Sequence, residues 1–247
     1  MSRATSFGSE AEAYEAARPG YPGEAAEFVL SLTDVSRAVE VGAGTGKTTE
    51  PFAREGVSIT CLEPDPAMGA ILRAKSLPGV AVVESTFEDW PGPEGAVDLV
   101  FAGQSWHWLD RETAVPRAGD WLRSDGVIAL MWNVPSHRYD VFADVYRRHA
   151  PQLLREGDPR IGFRDSDVWL EDLERGGMTD VRLTVFRWHA DLTPPQVRAL
   201  YASYSDHIAL DPQLRERLLD ALAEKVATSG GTLRIEYETR VFTGLCR

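Results

Sequence analysis

The sequence predicts an α/β fold: a doubly wound, mostly parallel sheet of seven strands with helices on both faces. Three observations carry this. In the first half, short apolar runs rich in β-branched residues alternate with helical stretches, the pattern of βαβ units. A glycine-rich turn, Gly42-Ala43-Gly44-Thr45-Gly46, joins the first such run to the helix after it. A chain of 247 residues with 43% hydrophobic content can bury a full core as one unit, 1–247.

Taken in order, 1–34 reads as N-terminal cap helices. Strands are expected over 38–41, 58–62, 80–83, 97–101 and 126–132, with helices over 48–55, 65–76 and 110–123 between them. The pattern then loosens. The stretches RYDVFADVYRRHAPQLL and SDVWLEDLERGG are helical and amphipathic, 181–188 and 233–242 read as strands, and helices over 193–206 and 211–228 lie between those two. The segment 35–133 has the character of a cofactor-binding half and 134–247 that of a half that shapes a substrate cavity. Pro/Gly clusters at 19–23, 91–95 and 229–231 have the length of loops, not of linkers.

Composition narrows the partners. Lys and Arg number 26 against 38 Asp and Glu, a net charge of −12 that repels a nucleic-acid backbone unless the basic residues are segregated. They are not: Arg147-Arg148 lies among mixed charges, and the basic residues of 215–225 alternate with acidic ones. Two cysteines, Cys61 and Cys246, are too few for a disulfide framework, and no close Cys/His set resembles a metal site. No apolar run approaches the roughly 20 residues that span a bilayer, and the N-terminus has no apolar signal core. The expectation is a soluble, cytoplasmic protein acting on a small molecule, with no metal, nucleic-acid or membrane partner; its oligomeric state is not legible.

The stretch 41–49, VGAGTGKTT, has the look of a phosphate cradle. A P-loop keeps four residues between its first glycine and Gly-Lys so that successive backbone N–H groups wrap the phosphates, yet that first position is Val41. Neither the strand at 97–101 nor that at 126–132 ends in a carboxylate to hold magnesium. The dinucleotide fingerprint G-x-G-x-x-G places its third glycine where Lys47 stands. What remains is G-x-G-x-G between a strand and a helix, with Glu63 at the end of the next strand. Glycines there allow a ligand close to the backbone, and the acidic residue can accept hydrogen bonds from both hydroxyls of a ribose. That arrangement suits a nucleoside without phosphates, and it leaves Lys47 and Thr48 as a first-turn lysine and a helix N-cap.

The segments AVEVGAGTGKTT and CLEPDPAM resemble the first two motifs of the class I S-adenosylmethionine-dependent methyltransferases, a Rossmann-like family. FGSEAEAYEAARPGYP is similar to the lead-in of a small-molecule subgroup of that superfamily that includes trans-aconitate-methyltransferase-like proteins, and SWHWLD resembles the segment after its fourth strand. AGDWLRSDGVIAL has the shape of its junction into the fifth strand, with Asp125-Gly126 where Gly-Gly is usual. The match covers roughly residues 7–133 well and the remainder weakly. The resemblance implies S-adenosyl-L-methionine as cofactor, held by Gly42, Ala43, Gly44, Thr45, Gly46, Glu63, Pro64, Met68, Thr86, Phe87, Glu88 and Gln104, with Tyr14 and Arg18 closing over its methionine end. Arg18 would pair with the cofactor carboxylate. Trp106, His107, Trp108, Trp132, His137 and Tyr204 would line the substrate side, with His107 as candidate base or, for an acid substrate, as its anchor, and Tyr139 beside His137.

Each of these has a plainer reading. The glycines serve equally as a tight strand-to-helix turn, Met68 and Phe87 as core residues, and Tyr14 and Arg18 as the surface of a helix. Tyr201, Tyr204 and His207 form a helical stripe that can face the core, and Asp110 suits a helix N-cap. Alternatives to methyl transfer to an oxygen or nitrogen are a NAD(P)-dependent oxidoreductase, a P-loop phosphotransferase and a protein that binds the cofactor without turnover.

Overall fold

The computed structural model describes residues 11–135, 140–154 and 166–247. Its centre is one seven-stranded sheet: β1 (Arg37–Val41), β2 (Ser58–Leu62), β3 (Val80–Val83), β4 (Val97–Gly103), β5 (Leu122–Pro135), β6 (Thr179–Leu192) and β7 (Leu233–Leu245). The order is β3-β2-β1-β4-β5-β7-β6. The first five strands run parallel, and β7 is antiparallel to both β5 and β6. The direction of winding reverses between β1 and β4, so the crevice outside their carboxyl ends is the place where such sheets bind ligands.

The central strands are near-continuous apolar runs because both their faces are covered. In β5, Val127, Ala129 and Met131 pack beneath α2 (Gly23–Leu30), α3 (Thr49–Phe52) and α4 (Pro66–Ala74), while Ile128, Leu130, Trp132 and Val134 pack on the opposite face. There they meet α5 (Ala114–Trp121) and α7 (Ser166–Arg175). A third cluster joins α6 (Ala143–His149), α8 (Pro194–Ala202) and α10 (Pro212–Thr228) to Ile235 and Tyr237 of β7. This cluster, with the N-terminal α1 (Ala11–Ala17), stands over the carboxyl ends of the sheet, and α1 packs on α8.

The element boundaries depart from the sequence expectation where tertiary partners intervene. The helix expected over 110–123 spans only Ala114–Trp121, because Leu122 pairs with Val97 and so begins β5. Asp110 caps the turn ahead of that helix, its Oδ1 accepting from the Glu112 and Thr113 amides. The helix over 48–55 is four residues long, anchored where Phe52 stacks on Phe101 at 4.3 Å. Its N-cap, Thr48, makes no side-chain capping bond; the hydroxyl turns instead towards Gly103, where a side chain would have no room. The helix over 193–206 breaks at Ser203 into α8 and the short α9 (Ser205–Ile208).

At the amino ends, away from the crevice, Asp98 ties three strands together. It accepts from the amides of Ser36 and Arg37, from the Ser36 hydroxyl, and from Arg123 Nε at 2.6 Å. Burial pushes its carboxyl up, but these donors prevail and hold it at about 2. Among the described residues no helix is long and apolar enough to cross a membrane.

Candidate active site

A cavity of about 320 Å³ opens at the carboxyl ends of β1, β2, β4 and β5, and its wall is drawn from every layer above them. The glycine loop forms its floor. Gly42 sits at φ +65°, and a Cβ there would come within 2.6 Å of the Ser105 Cβ, so only glycine fits between β1 and the segment after β4. Gly44, at φ +57°, aims its N–H at Glu63 Oε2, 2.7 Å away. The other oxygen of Glu63 accepts from the Asp65 amide at 2.8 Å, so two backbone donors hold the carboxylate at the cavity wall, 6% exposed. Burial raises its pKa and those two N–H groups moderate the rise.

Met68, the first turn of α4, and the segment Ser85-Thr86-Phe87-Glu88 after β3 form the next wall. Phe87 is locked by rings on either side, Trp106 at 5.7 Å and Trp121 at 5.0 Å. Arg117 donates to the carbonyls of Phe87, Glu88 and Trp90, at 3.2, 2.9 and 2.7 Å, and so pins the whole loop from α5. Nothing in the sequence marks this contact, because the partners lie about thirty residues apart.

Across the cavity, Gln104 follows β4 with φ +56°, an uncommon conformation for a non-glycine residue, held there by its backbone N–H donating to the Met131 carbonyl. A single 3-10 turn, Trp106–Trp108, follows. Within it His107 lines the cavity, Trp108 stands 48% exposed at the rim, and Trp106 turns into the core at 2% exposure. Burial pushes the His107 imidazole down to about 4. The indole N–H of Trp132 donates to His107 Nδ1 at 3.4 Å.

The last wall comes from Tyr14, Arg18, Leu200, Tyr204 and Tyr237. The Arg18 guanidinium donates to the hydroxyl and carbonyl of Ser203 at 2.9 and 3.0 Å and lies 4.6 Å from the Tyr204 ring. It thereby joins α1 to the break between α8 and α9.

Of the residues singled out in the sequence, Tyr14, Arg18, Gly42, Gly44, Glu63, Pro64, Met68, Thr86, Phe87, Glu88, Gln104, His107, Trp108 and Tyr204 share this one cavity. Ala43, Thr45 and Gly46 are not on its wall: Ala43 packs in the core below, Thr45 is buried, and Gly46 lies against Leu72. Trp106 and Trp132 are not on its wall either, since the alternation along β5 and the turn after β4 point them into the core between the sheet and α5 and α7. His137 and Tyr139 lie outside the described residues. Tyr201 and His207 are core residues, His207 bonded to the Tyr146 hydroxyl at 2.8 Å and to Asp206 at 2.8 Å. Lys47 pairs with Glu15 of α1 at 3.0 Å, a tether between the loop and the cap helix.

Among the lining residues that sequence reasoning did not single out are Leu109, Asn133, Leu200 and Tyr237. Asn133 was findable, since it ends a central strand at its carboxyl end. Its amide donates to the Gly20 carbonyl at 3.0 Å and accepts from Thr239 at 2.6 Å, tying the N-terminal segment to the sheet.

A doubly wound sheet of this strand order, with a glycine turn and an acidic residue ending the second strand at a shared cavity, defines a class of protein, and comparison agrees. The profile of the family described as "Methyltransferase domain" matches residues 39–130. An uncharacterized methyltransferase of Mycobacterium tuberculosis is 34% identical over 224 residues, 90% of this chain and 86% of its own. One from Schizosaccharomyces pombe is 32% identical over 240 residues, 94% and 92% of the two chains. The trans-aconitate 2-methyltransferase of Rhizobium rhizogenes is 34% identical over 115 residues, 44% of each. In fold the chain is similar to a candidate type II methyltransferase from Anaeromyxobacter dehalogenans, with a TM-score of 0.70 at 19% identity over 93% and 98% of the chains. The chain belongs to the S-adenosylmethionine-dependent methyltransferases. It is therefore an enzyme of the transferase class, and the nicotinamide and P-loop alternatives fall away.

Proposed function

We propose that this methyltransferase moves the methyl group of S-adenosyl-L-methionine to an oxygen, carboxylate or hydroxyl, or to a nitrogen of a small molecule, with 35–133 holding the cofactor and 1–34 and 134–247 enclosing the acceptor. One observation carries the reading: the Gly44–Glu63 pair and the His107–Trp108–Tyr204 wall face a single cavity whose far side is aromatic. The residues present fit the cofactor. Glycine at 42 leaves room for close backbone approach, Glu63 offers acceptors suited to ribose hydroxyls, and Met68 and Phe87 offer apolar surface for a purine. Glu88 would offer a carboxylate to an exocyclic amine, with Pro64, Thr86 and Gln104 on the same wall. Tyr14 and Arg18 would close over its methionine end.

When bound, the cofactor supplies a methyl group already activated on a sulfonium. The task left to the chain is alignment of the acceptor and exclusion of water. Trp108, Leu109, Leu200 and Tyr204 shape a pocket for a small organic acceptor, and His107 offers it a polar contact. The size of the cavity and the net charge of −12 favour a small molecule over a macromolecule. The relative that acts, by its name, on trans-aconitate points the same way. Calorimetry tests the reading: S-adenosylmethionine and its demethylated product, S-adenosylhomocysteine, both bind the purified chain, and absence of binding by either overturns it.

A further inference from the structure

Tyr237 carries a hydroxyl that the fold does not use. The residue is 4% exposed and lines the cavity, yet its hydroxyl has no hydrogen-bond partner among the described residues. A buried phenol without such a bond is costly, and phenylalanine would fill the same place without that cost. Burial pushes the phenol well above its ordinary value, with Tyr204 adding to the rise and Arg18 opposing it. The hydroxyl therefore keeps its proton and can donate.

The ring itself is fixed. In the ladder Tyr237 stands between Pro135 of β5 and Trp188 of β6, and it stacks on Trp188 with centroids 4.7 Å apart at 15°. The Trp188 indole N–H donates to Thr239 Oγ1 at 2.9 Å, and the Thr239 hydroxyl donates in turn to Asn133. Two polar neighbours on the wall are already engaged elsewhere. Asn133 is spent on Thr239 and Gly20, and Arg18 turns its Nε and Nη2 to Ser203, so neither bonds the Tyr237 hydroxyl.

Strand order decides which ligand that hydroxyl meets. β5 and β4 separate β7 from β1, and β2 lies one strand further on. At about 4.8 Å per strand, Tyr237 rises about 14 Å from the strand that carries the glycine loop and about 19 Å from the one that leads to Glu63. A nucleoside held by Gly44 and Glu63 belongs to that far end, and the space beside Tyr237 falls to the acceptor. Building on the methyltransferase reading of the cavity, we infer that Tyr237 binds the methyl acceptor, its hydroxyl donating a hydrogen bond to an oxygen or nitrogen of that molecule. The acceptor class this selects carries a hydrogen-bond-accepting atom besides the one that takes the methyl group, because a lone pair engaged by a donor is a poorer nucleophile. Tyr237 orients the acceptor and moves no proton.

The test uses the full chain labelled with 13C at tyrosine Cζ, the Tyr237 signal assigned by its absence in Y237F. Acetophenone, benzyl alcohol and benzamide serve as probes, and ethylbenzene as the counterpart without a polar atom, each titrated with and without S-adenosylhomocysteine. At least one polar probe shifts the Tyr237 signal saturably and binds Y237F about three- to tenfold more weakly, the loss of one hydrogen bond between neutral groups. Ethylbenzene does not distinguish the two proteins, and Y237F keeps the wild-type melting temperature and affinity for S-adenosylhomocysteine. A Tyr237 signal that no polar probe moves, or equal affinity of those probes for both proteins, overturns the inference. So does a weakened affinity of Y237F for S-adenosylhomocysteine, which assigns the hydroxyl to the cofactor, or a lowered melting temperature, which assigns it to the fold. Failure of the methyltransferase reading shows separately, as absence of S-adenosylhomocysteine binding to the wild type.

Discussion

Glu40, two residues before the glycine loop, is fully buried in the strand that carries the loop. One carboxyl oxygen accepts from the Thr49 hydroxyl at 2.6 Å and from the Cys61 thiol at 3.6 Å, and the other has no partner among the described residues. Burial, with nearby Glu63 adding repulsion, pushes its pKa from 4.5 up to about 8. In the unfolded chain the group ionises near its ordinary value. Between the two values the folded state binds the additional proton, so stability falls as pH rises, by up to about 1.4 kcal/mol per pH unit, and the loss is complete above about pH 8. The largest cost available from this one group is about 5 kcal/mol, and relaxation around the side chain will reduce it. Glu40→Gln keeps the shape and the acceptor for Thr49 without the titration. Urea unfolding of wild type and E40Q from about pH 5 to about pH 8 should therefore give curves that diverge, with E40Q gaining on the wild type at each step. Parallel curves over that range would refute the assignment of a neutral, buried Glu40.

Three further outcomes follow from the geometry. Gly42→Ala introduces a Cβ 2.6 Å from Ser105 and about 1–2 kcal/mol of backbone strain at φ +65°, and calorimetry should show at least a tenfold loss of S-adenosylhomocysteine affinity. Asp98→Asn removes the charge that Arg123 and two backbone amides share. It should cost about 2 kcal/mol of stability above about pH 4, a difference that vanishes as acid protonates the wild-type group through about 2, with cofactor affinity unchanged because Asp98 lies at the opposite end of the strands. Lys47→Met breaks only the partly exposed pair with Glu15 and should change cofactor affinity by no more than about threefold; a hundredfold loss would return the lysine to the ligand.

Much of the parallel half of the sheet was legible in the primary structure. Strands at 58–62 and 80–83 were placed to the residue, and the spacing of three glycines, with Glu63 ending the next strand, was enough to exclude phosphate ligands. These features are local. A turn's conformation and a strand's alternation depend on neighbours a few residues away, and the chain itself carries that information.

The far wall of the cavity was decided by the tertiary structure. Trp106 and Trp132 have the composition of a lined pocket, yet strand register turned them into the core and left His107 and Trp108 at the cavity. Arg117 reaches back to the loop at 87–90, Arg18 reaches forward to Ser203, and Tyr237 arrives from the last strand. Each of these contacts joins segments distant in sequence, and none has a periodicity or motif to announce it. Residue types and spacing pointed to the cofactor that the chain can cradle; only the packing of one face against another turned His107 Nδ1 towards Trp132 and left Trp108 at the rim.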